Sequence, residues 1–178
     1  REAYELHASG YLTKPITVDK VKKELYDLRR PIPKRKRVRL QTFGNFEVFV
    51  DGQPLVFERE KAKEMLAYLI DRAGSSVTTE QLAVALWEDR VYDNTLKNYI
   101  STILGSLRKT LRQVGKEDIL IKTRNQLSVN TEKIKCDAYD YEKGIVSAIN
   151  SFRGEYMVNY SWAEFKTGIY VAMEQKRR

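Results

Sequence analysis

The sequence has little of what most catalytic and metal centres are built from. Its 178 residues include one cysteine, Cys136, and one histidine, His7. A lone cysteine cannot close a disulfide within the chain or supply a multi-thiolate metal site, and it suits a reducing compartment. A lone histidine excludes the usual histidine-based zinc clusters and histidine-containing nucleophile triads. An enzyme would have to work with carboxylates, lysines or hydroxyls, and no nucleophile, base or metal constellation converges anywhere along the chain; no enzyme, no catalytic residue and no cofactor is expected. No apolar run approaches the roughly 20 residues that span a bilayer. The opening residues, REAYELHASG, lack the charged start and apolar block of a signal peptide, so a cytoplasmic protein without membrane contact is expected. The chain starts without Met, inside what reads as a helix, as a fragment of something longer would.

What is present is enough apolar material for a core, 42% of residues with 11% aromatic, and a formal charge of +8 from 32 basic and 24 acidic side chains. Residues 1–36 hold 10 basic and 5 acidic groups, 37–92 hold 7 and 9, 93–135 hold 9 and 4, and 136–178 hold 6 and 6. The excess is thus concentrated at the N-terminal end and in 93–135. Such segregation fits an anionic partner, although a solvated basic helix gives the same count.

Pro31 to Arg39, PIPKRKRVR, has two prolines, five cations and no apolar period, and reads as a linker over 31–36. Before it, Val18, Val21, Leu25 and Leu28 recur at helical spacing over 18–29, and Gly10 to Thr13 is a short strand candidate. After it, Val38, Leu40, Thr42, Phe43, Phe46, Val48, Val50, Leu55 and Phe57 alternate around turns such as Asp51-Gly52, which predicts an antiparallel meander of three short strands. The period then becomes helical. Ala62, Met65, Leu66, Leu69 and Ile70 mark one helix ending at Ala73-Gly74. Leu82, Ala83, Leu86 and Trp87 mark a second, capped by Thr78 or Thr79. Leu96, Ile100, Ile103, Leu107, Leu111 and Val114 mark a third and longest helix. Ile119, Ile121, Leu127 and Val129 flank Thr123-Arg124-Asn125-Gln126 as a β-hairpin with a basic tip. The aromatics Trp87, Phe43, Phe46, Phe57 and Tyr68 fall on inward positions, and Cys136 reads as a small buried residue. The order matches a helix-turn-helix followed by a wing.

The third helix carries the chemistry. With its apolar residues turned inward, Asn98, Ser101, Thr102, Gly105, Ser106, Lys109 and Arg112 point outward, and residues 94–116 contain no acid against Lys97, Arg108, Lys109, Arg112 and Lys116. Asn can pair bidentately with adenine, Ser and Thr reach base edges or phosphates, and the cations suit the backbone. Gly105 would permit close approach to a groove wall; on the blander reading it is a tolerated defect on an exposed face. Arg124 suits a minor-groove or phosphate contact, and Asn125 either joins it or only forms the turn. Glu88, Asp89 and Asp93 occupy a short interhelical connection, where acids cap a helix N-terminus.

RVRLQTFGNFEVFVDGQPLVFEREKAKEMLAYLIDRAG, SVTTEQLAVALWED and SLRKTLRQVG together resemble the winged-helix DNA-binding domain of OmpR/PhoB-type regulators, in the variant called the Streptomyces antibiotic regulatory protein type, over about residues 37–131. The resemblance implies a recognition helix from about Asn94 to Val114, a wing from Thr123 to Gln126, and a Trp87–Asp93 loop able to touch RNA polymerase. Ser106 stands where the family more typically has Arg. ASGYLTKPIT, Ala8 to Thr17, resembles the last strand of a CheY-like receiver, with Tyr11 at the rotating aromatic position and Lys14 at the lysine that pairs with the phosphoryl group; the Lys14–Pro15 bond is cis in that family. Asp137 to Tyr141 and Arg153 to Phe165 resemble the start of the bacterial transcriptional activation domain, with Tyr156, Tyr160 and Trp162 as packing residues.

The expected fold is therefore α+β: a winged helix-turn-helix with an N-terminal strand meander and a C-terminal hairpin. The domain plan is a receiver remnant over 1–30, the linker 31–36, the winged helix 37–135 and a helical extension 136–178. The implied function is a response-regulator transcription factor of a two-component phosphorelay. Its partners would be double-stranded promoter DNA, RNA polymerase and, through receiver parts not in this sequence, a sensor histidine kinase; exposed Leu25 and Leu28 could drive a homodimer. The alternative is an adaptor whose basic face binds an acidic protein.

Overall fold

The structure, a computed structural model, describes residues 14–22 and 37–177. The chain divides into two compact units, Arg1–Arg35 and Lys36–Arg178. In the first, the Lys14–Pro15 bond is cis, as the receiver resemblance implies, and Lys14 is exposed. Residues 18–22 are helical, and the Thr17 hydroxyl accepts from the Lys20 amide at 3.4 Å. Tyr11, the strand expected at 10–13, the rest of the helix expected to 29 and the linker lie outside the described residues.

The second unit begins with β1 (Val38–Gln41), β2 (Glu47–Val50) and β3 (Gln53–Pro54), antiparallel neighbours in the expected meander. The β2–β3 reversal places Asp51 at φ 51° and Gly52 at φ 85°, the left-handed pair of a tight hairpin turn that Asp-Gly accommodates. The sheet has a fourth strand that alternation did not foretell. β7 (Lys135–Cys136) pairs parallel with β1, Leu40 opposite Cys136, giving the order β3-β2-β1-β7 and a mixed sheet.

Three helices follow: α1 (Glu60–Asp71), α2 (Thr79–Leu86) and α3 (Asn94–Gln113), with the two-residue strand β4 (Val77–Thr78) before α2. Thr78 caps α2 in a reciprocal box, its hydroxyl accepting from the Gln81 amide and the Gln81 side chain accepting from its own. Asp93 caps α3, accepting from the Leu96 amide at 2.8 Å. The apolar stripes of all three helices meet in one core that includes Met65, Leu66, Leu69, Ile70, Leu82, Ile100, Ile103 and Leu107. Phe43, Phe46, Phe57 and Trp87 are buried in it, and Tyr68 is half-buried. β5 (Leu120–Lys122) and β6 (Gln126–Val129) form the hairpin, and β4 extends it to a three-stranded sheet, order β4-β6-β5. Here the alternation differs by one residue from the sequence reading. A single 3-10 turn, Glu117–Ile119, precedes β5, so Leu120 is the buried residue of that strand and Ile121 is 42% exposed.

Residues 136–177 share this core. They form α4 (Asp137–Glu142), α5 (Val146–Ser151) and α6 (Glu164–Arg177). Asp137 receives five hydrogen bonds: from the Thr42 amide at 2.8 Å and hydroxyl at 2.6 Å, the Phe43 amide at 3.1 Å, the Ala138 amide at 2.9 Å and the Cys136 thiol at 3.7 Å. Phe43 sits within 4.9–5.8 Å, centroid to centroid, of Tyr141, Phe152 and Tyr170. The Tyr139 hydroxyl donates to Ile70 O at 2.6 Å and the Tyr156 hydroxyl to Asp71 Oδ1 at 2.9 Å, fastening the extension to the end of α1. Tyr160 stacks on Trp162, which meets Tyr68 edge-on at 5.2 Å. Tyr156, Tyr160 and Trp162 are thus packing residues.

Cys136 is 1% exposed, and burial, reinforced by the Asp137 charge, pushes its thiol up to about 12. Since the thiolate is the reacting form, native protein at pH 8 is expected to resist iodoacetamide and to label only as it unfolds. Labelling with the rate of a free thiol in native buffer would contradict that placement.

Candidate nucleic-acid interface

α3 is amphipathic because its apolar residues recur every three or four positions, which turns one side to the core at about 100° per residue. Asn98, Thr102, Gly105, Lys109 and Arg112 then fall within about 40° of one line on the opposite side, with Ser101, Arg108 and Lys97 progressively further round. The structure agrees. Lys97, Asn98, Ser101, Thr102, Gly105, Lys109 and Arg112 are all exposed, while Leu96, Ile100, Ile103, Leu104, Leu107, Thr110 and Leu111 are buried. The space a side chain would occupy at Gly105 is open, with nothing within 4 Å.

Ser106 is different. It lies about 80° from the Asn98 line, on the flank that turns toward the core, and is half-buried; its hydroxyl is buried without a hydrogen-bond partner. It does not project with the other outward residues, contrary to the sequence reading.

The outward polar groups are held in defined ways. The Ser101 hydroxyl donates to Lys97 O and the Thr102 hydroxyl to Asn98 O, both at 3.1 Å, the intrahelical bond available to Ser and Thr. Lys109 Nζ is 3.2 Å from Glu58. Arg112 makes a bidentate pair with Glu117, Nε and Nη2 each 2.7 Å from a carboxylate oxygen, with Arg108 Nε at 3.9 Å. The Arg112 hydrogen bond, with the charges of Arg112 and Arg108, holds the Glu117 carboxyl below the usual range. These acidic partners were not foreseen from sequence. The only signal for Glu117 is its place as the first acid after the acid-free run 94–116.

At the wing, β5 and β6 bring Lys122, Thr123, Arg124 and Asn125 into solvent, and the Thr123 amide donates to Gln126 O at 3.0 Å to close the turn. Gln126 belongs to β6 rather than to the tip. Between α2 and α3, Trp87 is buried edge-on against Tyr99 at 5.9 Å and Arg90 lies over the Tyr99 ring at 5.8 Å, with Glu88 and Asp89 exposed. Among the described residues, no group of three or more His, Cys, Asp and Glu is placed to hold a metal ion, and no helix is long and apolar enough to cross a membrane.

Residues 53–127, from β3 to the second residue of β6, match the family model described as "Transcriptional regulatory protein, C terminal". This segment is similar to the domain that the model describes. Its winged helix is of the OmpR/PhoB type, as the sequence resemblance implied. The fold extends beyond the matched residues. A solved structure of Mycobacterium tuberculosis EmbR, in complex with a low affinity phosphopeptide, is similar over 78% of this chain with a TM-score of 0.63 and 19% sequence identity. At that identity the likeness is one of fold, and this chain spans 43% of the EmbR chain. No curated protein matches the sequence. The matched domain family is one of transcriptional regulators and not of enzymes.

Proposed function

We propose that this chain is the duplex-reading part of a transcription factor, binding promoter DNA sequence-specifically as the output of a two-component phosphorelay. The reading rests above all on one observation: the acid-free face of α3 stays exposed while the extension is packed in place, with Asn98, Thr102, Gly105, Lys109 and Arg112 along a single line. A helix of about this diameter enters the major groove, where small polar side chains reach base edges and cations meet phosphates. The basic wing at Lys122 to Asn125 would serve the neighbouring backbone or minor groove. The domain family of residues 53–127 supports the assignment. Residues 1–30 as a receiver tail, a sensor histidine kinase acting through it, and RNA polymerase at the Trp87–Asp93 loop complete the proposal on the strength of the sequence resemblance. The division of the chain into receiver tail, linker, winged helix and activation-domain-like extension is part of the same reading.

The roles divide by residue. Lys109→Ala is expected to weaken binding to a random duplex and to one selected from a random pool by a similar factor, and to flatten the log K against log[salt] slope by about 0.9. Asn98→Ala and Thr102→Ala are expected to weaken the selected duplex by roughly 5- to 100-fold and leave the random one nearly unchanged, the range for loss of one base contact. Ser106→Ala, whose hydroxyl is buried, should alter neither. Fluorescence anisotropy at two salt concentrations reads all of these. Equal losses on both duplexes for every variant would contradict the division; tight binding to an acidic protein in place of DNA would favour the adaptor reading.

A further inference from the structure

The cations at the C-terminal end of α3 already have anions. Arg112 holds Glu117 through two parallel N–H···O bonds of 2.7 Å, Arg108 stands 3.9 Å from the same carboxylate, and Lys109 is 3.2 Å from Glu58. A carboxylate taken bidentately by a guanidinium occupies the position a phosphate would take, because both present two oxygens at matching spacing. The pairs sit toward the C-terminal end of the outward helix face. The Arg112 side chain is 72% exposed against 33% for Glu117, and Lys109 and Glu58 are 64% and 59% exposed. Exposed pairs of this kind contribute little to folding. Their larger effect is on whatever anion comes next: a phosphate approaching Arg112 must displace or share Glu117, and meets its charge while doing so.

We propose that Glu117 and Glu58 are internal phosphate surrogates, which occupy the recognition-helix cations in the free protein and lower its affinity for duplex DNA irrespective of sequence. The proposal rests on the duplex-binding reading above. Glu117 acts through Arg112 and its neighbours, not by touching a base. Its consequence is a protein whose affinity depends less on bulk phosphate attraction and more on the base contacts nearer the start of α3, at Asn98 and Thr102.

The test is fluorescence anisotropy of a labelled random duplex and a selected duplex with the full chain. Glu117→Gln keeps the size of the side chain and one acceptor oxygen for Arg112. It is expected to tighten binding to both duplexes by the same factor, roughly 3- to 10-fold near 50 mM salt, and to steepen the salt slope by up to about 0.9 per cation freed. Glu58→Gln should act in the same direction with a smaller factor and provides a second variant at an independent pair. In an Arg112→Ala background the gain from Glu117→Gln should shrink below about twofold, since fewer paired cations remain to be freed. Glu155→Gln makes the same formal charge change on the exposed loop beside Gly44 and should leave both affinities unchanged. Unchanged or weaker binding by Glu117→Gln and Glu58→Gln, an equal gain from Glu155→Gln, or an undiminished gain without Arg112 would each overturn the proposal while leaving duplex binding intact. Absence of salt-dependent duplex binding by the unsubstituted chain would overturn the underlying reading and this proposal with it.

Discussion

Asp137→Ala is expected to destabilise the unit that begins at Lys36 by about 3 kcal/mol, a large share of the roughly 5–15 kcal/mol that holds a domain folded. The carboxylate accepts from the Thr42 amide, the Thr42 hydroxyl, the Phe43 amide and the Ala138 amide. Thr42 is fully buried and Phe43 is 7% exposed. Removing the acceptor strands these donors where water cannot replace it, and each unsatisfied buried donor costs about 1–3 kcal/mol. Asp137 also stands where the chain leaves β7 for α4, so its loss loosens the parallel pairing of β7 with β1 and the Phe43–Tyr141–Phe152–Tyr170 cluster. For a protein of this length the melting temperature should fall by roughly 6–12 °C. Asp137→Asn should lose less, because one oxygen survives to serve Thr42 while the new amide faces the Phe43 N–H. A shift in the alanine variant below about 2 °C would show that the extension is not anchored there.

The same contacts explain why the fold was legible in some places and not in others. Helices α1, α2 and α3 announce themselves through apolar residues three and four apart, and the α2 start through Thr78 followed by Gln81 three positions on. The meander follows from alternation and the Asp51-Gly52 turn. β7 has no such signature. It is two residues long, and its partner lies almost a hundred positions earlier, so nothing local marks it. The integration of residues 136–177 depends on that pairing and on Asp137, and is equally silent in the sequence. The Leu120–Ile121 inversion arises because a 3-10 turn feeds the strand and shifts its phase by one.

The candidate interface was more legible than the extension, because helical periodicity alone separates its two faces. Six of the seven residues expected to point outward from α3 do so. Ser106 does not, since a residue on the flank of a helix is assigned by its neighbours' bulk and not by its polarity. The ion pairs escaped because Glu58 is distant in sequence from Lys109, and because Glu117 reaches Arg112 from beyond the helix end.

The second large effect is expected at Gly105. Glycine in an exposed helix interior costs about 1 kcal/mol relative to alanine, and a side chain here meets nothing within 4 Å. Gly105→Ala should therefore stabilise the protein by up to about 1 kcal/mol, and Gly105→Glu, also a good helix former, should leave the fold intact. In the duplex complex proposed here the two must diverge. A carboxylate placed at the centre of the Asn98–Arg112 line would face the groove wall and its phosphates, and like-charge juxtaposition at an interface costs several kcal/mol, which is on the order of a hundredfold in affinity. The direct measurement is an anisotropy titration of one labelled duplex with the unsubstituted chain, Gly105→Ala and Gly105→Glu, with a thermal melt of each. The account predicts three folded proteins, salt-sensitive binding by the first two, and binding by Gly105→Glu weakened about a hundredfold. Equal affinity for all three, with folds intact, would mean that the exposed face of α3 is not where this protein meets DNA.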